Sequence, residues 1–490
     1  MNSLRSTSLL ALGLAAATLV PSLAAQAPAL DPATRQLSHE IFKQLIEINT
    51  TDSIGSVTAA SEAMRKRLLD AGFPASDLVI AGPNDRKMNL VARYRAASGS
   101  NKKPILIIGH LDVVEAPQAE WATNPFQLVE RDGFFYGRGT QDMKDADAIM
   151  VTDFIRLKRQ GWVPSRDIIL ALTADEEGGK SNGVDWLLTH RPELVDGEVA
   201  INPDSGGIDS EHAKPLVMVV EATEKLYGDY ELTAKNPGGH SSLPTRDNAI
   251  YHVTDALSRL ESFTFPTELN EVTRAYFAEM AFLEKAEHHD QIAADMLTIS
   301  KTTPGSQPDP TAVSRLSEIP RYNSVLRTTC VATMLSAGQA PNALPQFAQS
   351  NVNCRILPGH TQEETRLTLV KVFNDPAITV QYKDDAGTLY AQGTDRVSPA
   401  PPPLRADIFD PLHKVVESMY PGLPILPQME VGASDSIYTM AHNIPSYGIS
   451  GVAIDTDDMR AHGRDERVSI ESYDRGVDFY YRYLQALGAK

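Results

Sequence analysis

Three apolar runs of the sequence are each followed by side chains of the kinds that bind metal ions. These side chains are His110, Asp112, Asp175, Glu176, Glu177 and Asp204. Two further residues of the same kinds lie in glycine-containing stretches, Asp142 in GFFYGRGTQDMKD and His462 in AHGRDERV. Ligands of parallel sheets lie beyond the carboxyl ends of the strands. If the apolar runs are neighbouring strands, we therefore expect these side chains to meet at one edge of a sheet.

The side-chain types in this set indicate a divalent metal ion. The consecutive carboxylates at 175–177 would repel one another and resist burial unless a cation compensates their charge. Two histidines with several carboxylates form a mixed nitrogen and oxygen donor set, which suits zinc, whereas calcium and magnesium prefer oxygen alone. A single histidine or carboxylate at a loop edge is usually an exposed structural residue, so the prediction depends on the combination.

The segments around these residues alternate between helical and strand patterns. Helices are predicted at 35–48, 56–73 and 145–162, and strands at 88–96, 103–114 and 166–177. Such alternation is typical of an α/β fold with a largely parallel central sheet. From about residue 223 the pattern changes to that of an antiparallel sheet covered by helices, and the proline-rich stretch at 398–404 is typical of a return linker.

Length and composition limit the classes of function. The chain has 490 residues, of which 42% are hydrophobic and 22% charged, as is usual for globular proteins of more than one domain. The net charge of −18 argues against a surface that binds nucleic acid or an anionic membrane. Beyond the N-terminal region, no stretch approaches the ~20 apolar residues of a transmembrane helix.

The first 27 residues have the three regions of a secretory signal peptide. Arg5 precedes an apolar stretch from Leu9 to Val20, and small residues surround Ala24 and Ala27. The apolar stretch is too short to span a bilayer, so the pattern predicts a cleaved signal peptide, with a buried N-terminal helix as the alternative. We therefore expect a secreted or periplasmic protein.

Cys330 and Cys354 are the two cysteines of the chain, which excludes a disulfide-dense scaffold and a cysteine zinc site. Both lie in strand-like runs on either side of the turn-like GQAPN. Antiparallel pairing about that turn places them roughly opposite each other, and an exported protein permits a bridge. Buried free cysteines are equally compatible with this pattern.

A series of motifs resembles, in order and rough spacing, those of the M20 metallopeptidases, a family of carboxypeptidases, dipeptidases and aminoacylase-like deacylases. The motifs are GHLDVV, the tryptophan at 121, NPF, GFFYGRGTQDMKD, TADEEGG, NPGGHSSLP, AGQAPNALP, VNCRILPG, GASDS and AHGRDERV. The resemblance extends from about residue 40 to the C-terminus. It implies an α/β catalytic domain, with a mostly parallel central sheet flanked by helices, and an inserted smaller α+β lid domain. The boundaries that we predict are 1–27 for the signal peptide, 28–222 and 397–490 for the two parts of the catalytic domain, and 223–396 for the lid and dimerisation domain.

The resemblance also implies roles for individual residues. It implies two zinc ions per chain, with cobalt or manganese as substitutes. The implied ligands are His110 and Asp204 for one zinc, Glu177 and His462 for the other, and Asp142 as the bridge between them. Glu176 is the implied general base, and Asp112 is the implied acid that orients the imidazole of His110. Many relatives have a glutamate where this chain has Asp204, and Asp209 is a less favoured substitute for that ligand.

The lid residues are also assigned by resemblance. His240 resembles the histidine that stabilises the oxyanion of the tetrahedral intermediate, which in many relatives comes from the partner subunit of a dimer. Asn342 and Arg355 resemble residues that hold the substrate's carboxylate, although Arg355 also fits an ordinary surface salt bridge. A homodimer through the lid is expected, and the sequence leaves open in which subunit His240 acts. A helical stretch at roughly 265–320 exceeds a minimal lid and either alters dimerisation or narrows the cleft.

The implied activity is peptide-bond hydrolysis by an exported di-zinc carboxypeptidase or dipeptidase, acting on substrates with a free carboxylate. An N-acyl amino acid deacylase is the alternative, because it shares the metals and the carboxylate clamp. A non-catalytic periplasmic solute-binding protein is the alternative from another class. Solute binding alone would not require Glu176 and Glu177 together with two histidines that are distant from them in the sequence.

Overall fold

The computed structural model describes residues 30–384, 387–395, 397–432 and 434–489, so the predicted signal peptide at 1–27 lies outside the described residues. The helices in these ranges are α1 Pro32–Glu47, α2 Val57–Asp70, α3 Lys144–Arg159, α4 Gly183–His190, α5 Pro192–Val195, α6 Ala249–Ser262, α7 Glu271–Ala286, α8 Asp290–Ser300, α9 Pro310–Ser317, α10 Pro320–Leu326, α11 Gln362–Phe373, α12 Ala406–Met419, α13 Ser436–Ala441 and α14 Ile470–Leu487. None of these helices combines the length and the apolar character needed to cross a bilayer.

The strands in the same ranges belong to four sheets. They are β1 Leu78–Ala81, β2 Asn89–Tyr94, β3 Ile105–His110, β4 Val129–Arg131, β5 Phe134–Tyr136, β6 Ile168–Thr173, β7 Val199–Asn202, β8 Gly207–Glu211, β9 Lys214–Glu224, β10 Leu226–Lys235, β11 Gly239–His240, β12 Thr329–Ala337, β13 Ala343–Leu344, β14 Phe347–Ile356, β15 Ile378–Lys383, β16 Leu389–Tyr390, β17 Ile425–Glu430, β18 Ser446–Gly448, β19 Ala453–Asp455 and β20 Arg467–Ser469.

The large sheet contains ten strands in the order β1-β2-β6-β3-β7-β18-β9-β8-β19, and β17 pairs with β9 beside this path. Its central strands β6, β3, β7 and β18 are parallel to one another. The strands β1 and β2 pair antiparallel with their neighbours, and β9 pairs antiparallel with both β18 and β8. The predicted α/β fold with a largely parallel central sheet is confirmed.

Strand β3 shows why this sheet forms a middle layer. All six of its residues are buried. Ile105 and Ile107 belong to one core with residues of α1, α2, α3, α12 and α14, whereas Leu106 and Ile108 belong to the opposite core with residues of α4. Successive side chains of a strand point to opposite faces, so a continuous apolar run is buried on both sides. Polar side chains are therefore confined to the strand ends.

The small sheet is antiparallel and has the order β12-β14-β10-β15-β16. Helices α6 and α11 share a core with it through side chains such as Leu260 and Leu369. Cys330 and Cys354 are partners in the register of β12 and β14 and form a disulfide bond, so the question that the sequence left open is answered by a bridge. These strands fall within 223–396, the range predicted for the lid domain.

Helices α7 to α10 form a helical insertion, defined here as residues 271–326, which precedes β12 in the chain. Phe277 and Leu316 of the insertion share a core with Val219 of β9 and Leu426 of β17. The insertion is therefore packed against the large sheet through two of its strands. This stretch contains most of the helical segment that the sequence marked as exceeding a minimal lid.

Candidate metal centre

Three neighbouring parallel strands bring the predicted metal ligands to one edge of the large sheet. Strand β3 ends at His110, β6 ends two residues before Asp175, and β7 ends two residues before Asp204. The strands are adjacent in the order β6-β3-β7, so their carboxyl ends lie side by side. The loop before α3 adds Asp142, and the loop before β20 adds His462.

Asp142 lies between two pairs of donor groups. His110 Nε2 is 3.0 Å from Asp142 Oδ1 and 3.4 Å from Asp204 Oδ1. His462 Nε2 is 3.0 Å from Asp142 Oδ2 and 2.8 Å from Glu177 Oε2. Each carboxylate oxygen of Asp142 therefore faces one histidine that also approaches a second carboxylate. All five residues predicted as ligands are brought together.

Several donor atoms of this group are buried without the hydrogen bonds that buried polar atoms require. His110 Nε2, Asp142 Oδ1 and Glu177 Oε1 have no hydrogen-bond partner among the described residues. One donor atom from each of these residues lies within 4.8 Å of the other two. An unsatisfied buried polar atom costs about 1–3 kcal/mol, and a divalent cation satisfies nitrogen and oxygen donors together. The residues thus fit a bound metal ion.

Most of the ionisable side chains around this group are carboxylic acids. Burial raises the pKa of Glu176 to about 10, that of Asp435 to about 7 and that of Asp112 to about 6. Burial also acts to raise the pKa of Asp142, but the two neighbouring histidines outweigh burial and lower it. A positive charge within this cluster favours the ionised carboxylates. The electrostatics therefore also favour bound cations.

Asp112 connects His110 with the acidic residues of the next strand end. While His110 Nε2 faces Asp142, its Nδ1 lies 3.1 Å from the backbone carbonyl oxygen of Asp112 and 3.8 Å from the carboxylate. The ring N–H is therefore donated to the carbonyl, whereas the carboxylate was the expected acceptor. The carboxylate accepts the backbone N–H groups of Glu176 at 3.2 Å and Glu177 at 3.0 Å. Asp112 thus orients the imidazole and the acidic turn together.

The three consecutive acids have three different environments. Asp175 is buried and forms a salt bridge with Lys87, which also pairs with Asp52 at 2.9 Å. Glu177 faces His462, and Glu176 faces open cavities. Lys87 is not predictable as a site residue from the sequence, because a lone lysine in a loop carries no signal of its partner. Its charge explains how one of the acids is buried without a metal.

A buried ion pair joins the loops that carry Asp142 and His462. Glu466 forms a salt bridge with Arg138 and accepts the backbone N–H groups of Gln141 at 2.7 Å and Asp142 at 3.2 Å. Arg138 also donates to the backbone carbonyl oxygen of His462 at 3.3 Å. Glu466 and Arg138 were not among the predicted site residues. The signal in the sequence was their opposite charge, with Arg138 in the motif GFFYGRGTQDMKD and Glu466 in the motif AHGRDERV.

None of the predicted lid residues takes part in the described contacts of the donor group, defined here as His110, Asp142, Glu177, Asp204 and His462. His240 is exposed, its Nδ1 lies 2.8 Å from Ser242 Oγ, and it pairs with Ala343 in a two-stranded ribbon beside Asn342, which is also exposed. Arg355 lies on β14, with its guanidinium carbon 4.8 Å from the centre of the Tyr227 ring. In the described part of the chain, these three predicted residues line neither of the two cavities beside the donor group.

Two cavities adjoin the strand ends. A larger cavity of about 1080 Å³ lies toward the small sheet and is lined by residues such as Tyr227 and Tyr382. A smaller cavity of about 600 Å³ contains four of the predicted ligands and reaches the helical insertion. Glu176 lines both cavities. A substrate that extends through both would thus have its middle beside Glu176.

Comparisons with known proteins agree with this arrangement. A family model described as "Peptidase family M20/M25/M40" matches residues 106–486. Among curated proteins, the chain is 28% identical over 395 residues to the N-fatty-acyl-amino acid synthase/hydrolase PM20D1 of Xenopus tropicalis, covering 79% of this chain and 73% of that protein. It is 26% identical over 415 residues to the probable carboxypeptidase S-like 2 of Dictyostelium discoideum, covering 81% and 75%.

Solved structures resemble the whole fold. An M20 family metallo-carboxypeptidase, Sso-CP2 from Sulfolobus solfataricus, superimposes with a TM-score of 0.64 at 14% identity, covering 92% of this chain and 99% of that chain. The dipeptidase Dug1p from Saccharomyces cerevisiae superimposes with a TM-score of 0.58 at 18% identity, covering 93% and 96%. At these identities the likeness is one of fold.

Proposed function

Because the chain belongs to peptidase family M20/M25/M40, and is therefore a hydrolase, we propose that it is an exported di-zinc exopeptidase that cleaves the peptide bond beside a free C-terminal carboxylate. The observation that carries this proposal is the position of Asp142 between two histidine and carboxylate pairs, with Glu176 adjacent. His110 and Asp204 would hold one zinc, His462 and Glu177 the other, and Asp142 both. Membership of a hydrolase family favours turnover over the solute-binding alternative.

The protein's own groups have separate tasks in this reaction. When bound, two zinc ions supply an attacking water of lowered pKa and polarise the scissile carbonyl. Glu176 takes the proton of the water and then delivers it to the leaving nitrogen. Asp112 holds the backbone of Glu176 and the imidazole of His110, and Glu466 holds the loop of Asp142. These contacts keep the base and the ligands in fixed relative positions.

An N-acyl amino acid deacylase is the second candidate. The similarity to acyl-amino acid hydrolases favours it, because such substrates also present an amide bond beside a free carboxylate. The larger cavity supports a peptide instead of a long acyl chain on the other side of Glu176. Its lining includes many polar and charged side chains, among them Asn84, Lys180 and Asp384. The two candidates differ in what fills this cavity.

We expect the zinc-loaded mature protein to release C-terminal amino acids from di- and tripeptides and to act weakly on N-palmitoyl amino acids. Matched substrates with free and amidated C-termini, assayed by amino-acid release, test both parts of this expectation. Cleavage of the amides as fast as the acids would contradict the requirement for a carboxylate. Faster cleavage of N-palmitoyl amino acids than of every peptide would favour the deacylase.

The position of His240 supports a dimer through the small sheet. Strand β12 is the edge of that sheet, and its side chains Val331, Met334 and Leu335 are 59%, 68% and 59% exposed. An apolar unpaired strand edge favours pairing with another chain. His240 is exposed and lines neither cavity beside the donor group of its own chain. We therefore propose that His240 acts on the site of a partner subunit.

Co-expression of His240→Ala with Glu176→Gln is expected to restore activity that neither variant has alone. A mixed dimer would combine an intact Glu176 from one chain with an intact His240 from the other. Random assembly predicts roughly a quarter of wild-type activity. Leu335→Asp at the dimer edge provides the control, since it is expected to give inactive monomers. Absence of any recovery in isolated mixed dimers would contradict action across the interface.

Export remains a proposal with two supports. The N-terminal sequence has the signal-peptide pattern, and the Cys330–Cys354 disulfide is of a kind that persists in oxidising compartments.

A further inference from the structure

The smaller cavity has two chemically different walls. One wall carries the predicted ligands Asp142, Glu177, Asp204 and His462. The other wall is formed by the helical insertion and includes Tyr276 of α7 and Arg321 of α10 together with Ser324. A cavity of about 600 Å³ is the size of a small-molecule site. A substrate bound at the donor group therefore faces the insertion of the same chain.

Arg321 provides the positive charge of the second wall. Among the described residues that line this cavity, it is the one with a guanidinium or ammonium group. Its side chain is exposed, and it forms no salt bridge with any described residue. Asp209 interacts with it electrostatically, and its guanidinium hydrogen-bonds the side chain of Tyr276. The guanidinium is thus available to an anion that enters the cavity.

Tyr276 provides a hydrogen-bond donor at the same place. Its side chain is 1% exposed and lines the cavity. The Arg321 guanidinium donates toward its hydroxyl oxygen, and the hydroxyl has no acceptor for its own hydrogen within the described ranges. Buried tyrosine hydroxyls usually have a partner, because leaving one unsatisfied costs free energy. Burial raises the pKa of Tyr276, so the phenol stays protonated and able to donate. A buried phenol O–H without an acceptor, beside a guanidinium that forms no salt bridge with a described residue, indicates a missing acceptor.

The packing of the insertion fixes these groups relative to the donor group. Tyr276 and Val325 share a core with Val219 of β9 and Met429 of β17, which are strands of the large sheet. Arg355, by contrast, lies on the small sheet and stacks on Tyr227. Arg321 therefore needs no movement of the small sheet to face the ligands. Such preorganisation reduces the entropy lost on binding.

We propose that Arg321 and Tyr276 bind the free carboxylate of the substrate from within the same chain. This inference deepens the proposed function, on which it rests, and assigns the carboxylate site to the helical insertion in place of Arg355 and Asn342. A guanidinium offers two parallel N–H donors that match a carboxylate, and the phenol adds a third donor. The other charged groups of the cavity are mostly acidic, so an anionic substrate group is directed toward Arg321.

The cations of the larger cavity are weaker competitors for this role. Lys87 is paired with Asp52 and Asp175, and Arg86 donates to the backbone carbonyl oxygen of Gly55 at 2.8 Å. Lys180 remains as an exposed lysine of that cavity. It belongs to the side of Glu176 that we assign to the peptide, so Lys180 and Arg355 are the rival residues to be tested beside Arg321.

The experiment compares Arg321→Gln, Tyr276→Phe, Lys180→Gln and Arg355→Gln on a blocked dipeptide and its C-terminal amide, with the zinc-loaded protein. Loss of a charge-assisted hydrogen bond corresponds to a roughly 10- to 100-fold higher KM. We expect this rise for Arg321→Gln on the acid alone, with kcat within about threefold. Tyr276→Phe loses one neutral hydrogen bond, so a rise of roughly fivefold is expected. Arg321→Lys keeps the positive charge but lacks the two parallel N–H donors of the guanidinium, so its KM should lie between those of the wild type and Arg321→Gln.

A structural role for Arg321, such as balancing the charge of Asp209, predicts a different pattern. In that case Arg321→Gln changes KM equally for acid and amide and lowers the melting temperature, which would overturn the proposal. A selective loss in Arg355→Gln or Lys180→Gln, with none in Arg321→Gln, would also overturn it.

Calorimetry separates this inference from the proposed function. If the wild type cleaves neither substrate, the proposed function fails, and the same acid and amide are titrated into the zinc-loaded protein as ligands. Tighter binding of the acid by the wild type, lost in Arg321→Gln, supports the carboxylate site. Equal binding of acid and amide by the wild type overturns the site.

Discussion

Replacement of Glu176 by glutamine is expected to lower kcat by at least about a thousandfold while the zinc content stays unchanged. General acid–base catalysis contributes up to about 10⁴-fold, and here one residue would serve as base and then as acid. Glutamine has nearly the same shape as glutamate but cannot accept the proton of the water. Glu176 lines both cavities, so it lies where a substrate that spans them places its scissile bond.

Glu177→Gln is the matched control, because it changes the neighbouring residue in the same way. Glu177 lies 2.8 Å from His462 as part of the second donor pair. We therefore expect this variant to lose about one of two zinc ions per chain, measured by elemental analysis of the purified protein. Full activity of Glu176→Gln, or loss of zinc from it, would refute the assignment of the base.

Replacement of Asp142 by alanine is expected to abolish activity through loss of both metal ions. Each oxygen of Asp142 lies 3.0 Å from a different histidine, so a single side chain serves both donor pairs. Removing it leaves each proposed zinc with one histidine and one carboxylate, fewer than the three protein ligands that are usual for catalytic zinc. We expect the zinc content to fall from about two ions per chain to below one, and kcat/KM to fall at least ~10³-fold.

Asp209→Asn provides the control for Asp142→Ala. Asp209 lines the same cavity and is the other candidate for the ligand role of Asp204, but it takes no part in the contacts around Asp142. Zinc titrations of the two variants and of Asp204→Ala are to be compared under the same conditions. Retention of both zinc ions by Asp142→Ala would contradict the shared site. Loss of zinc from Asp209→Asn would transfer the proposed ligand role from Asp204 to Asp209.

The acidic run at 175–177 shows how much of the site the local sequence predicts. Its position after a buried strand predicts a cation nearby, and the structure brings Glu177 to His462. The same run also contains Asp175, whose partner is Lys87, a residue 88 positions away in the chain. Nothing in the sequence around Lys87 indicates this pairing. Charge compensation was thus predictable in kind, but the residues that provide it were not.

The lid residues show that motif resemblance does not predict where a residue lies relative to the donor group. Arg355 lies on the small sheet, His240 lies on the two-stranded ribbon with Asn342 beside it, and these three residues line neither cavity beside the donor group. Their predicted roles depend on a partner subunit or on the placement of the small sheet, which motifs within one chain do not encode. The helical insertion was recognised only as an excess of length. Its packing on β9 and β17, which places Arg321 in the wall of the cavity that also contains four predicted ligands, depends on contacts between distant segments.

The sequence by itself determined the α/β fold and the set of candidate metal-binding side chains, because both follow from local patterns. An apolar run buried on both faces forms an interior strand, and polar residues directly after it must lie at the edge of the sheet. Only the tertiary structure decided how those residues divide around Asp142, that Asp112 binds His110 through its carbonyl group, and that Arg321 faces the same cavity. Each of these depends on distances of a few ångströms between segments whose relative positions are set by the packing of the whole core.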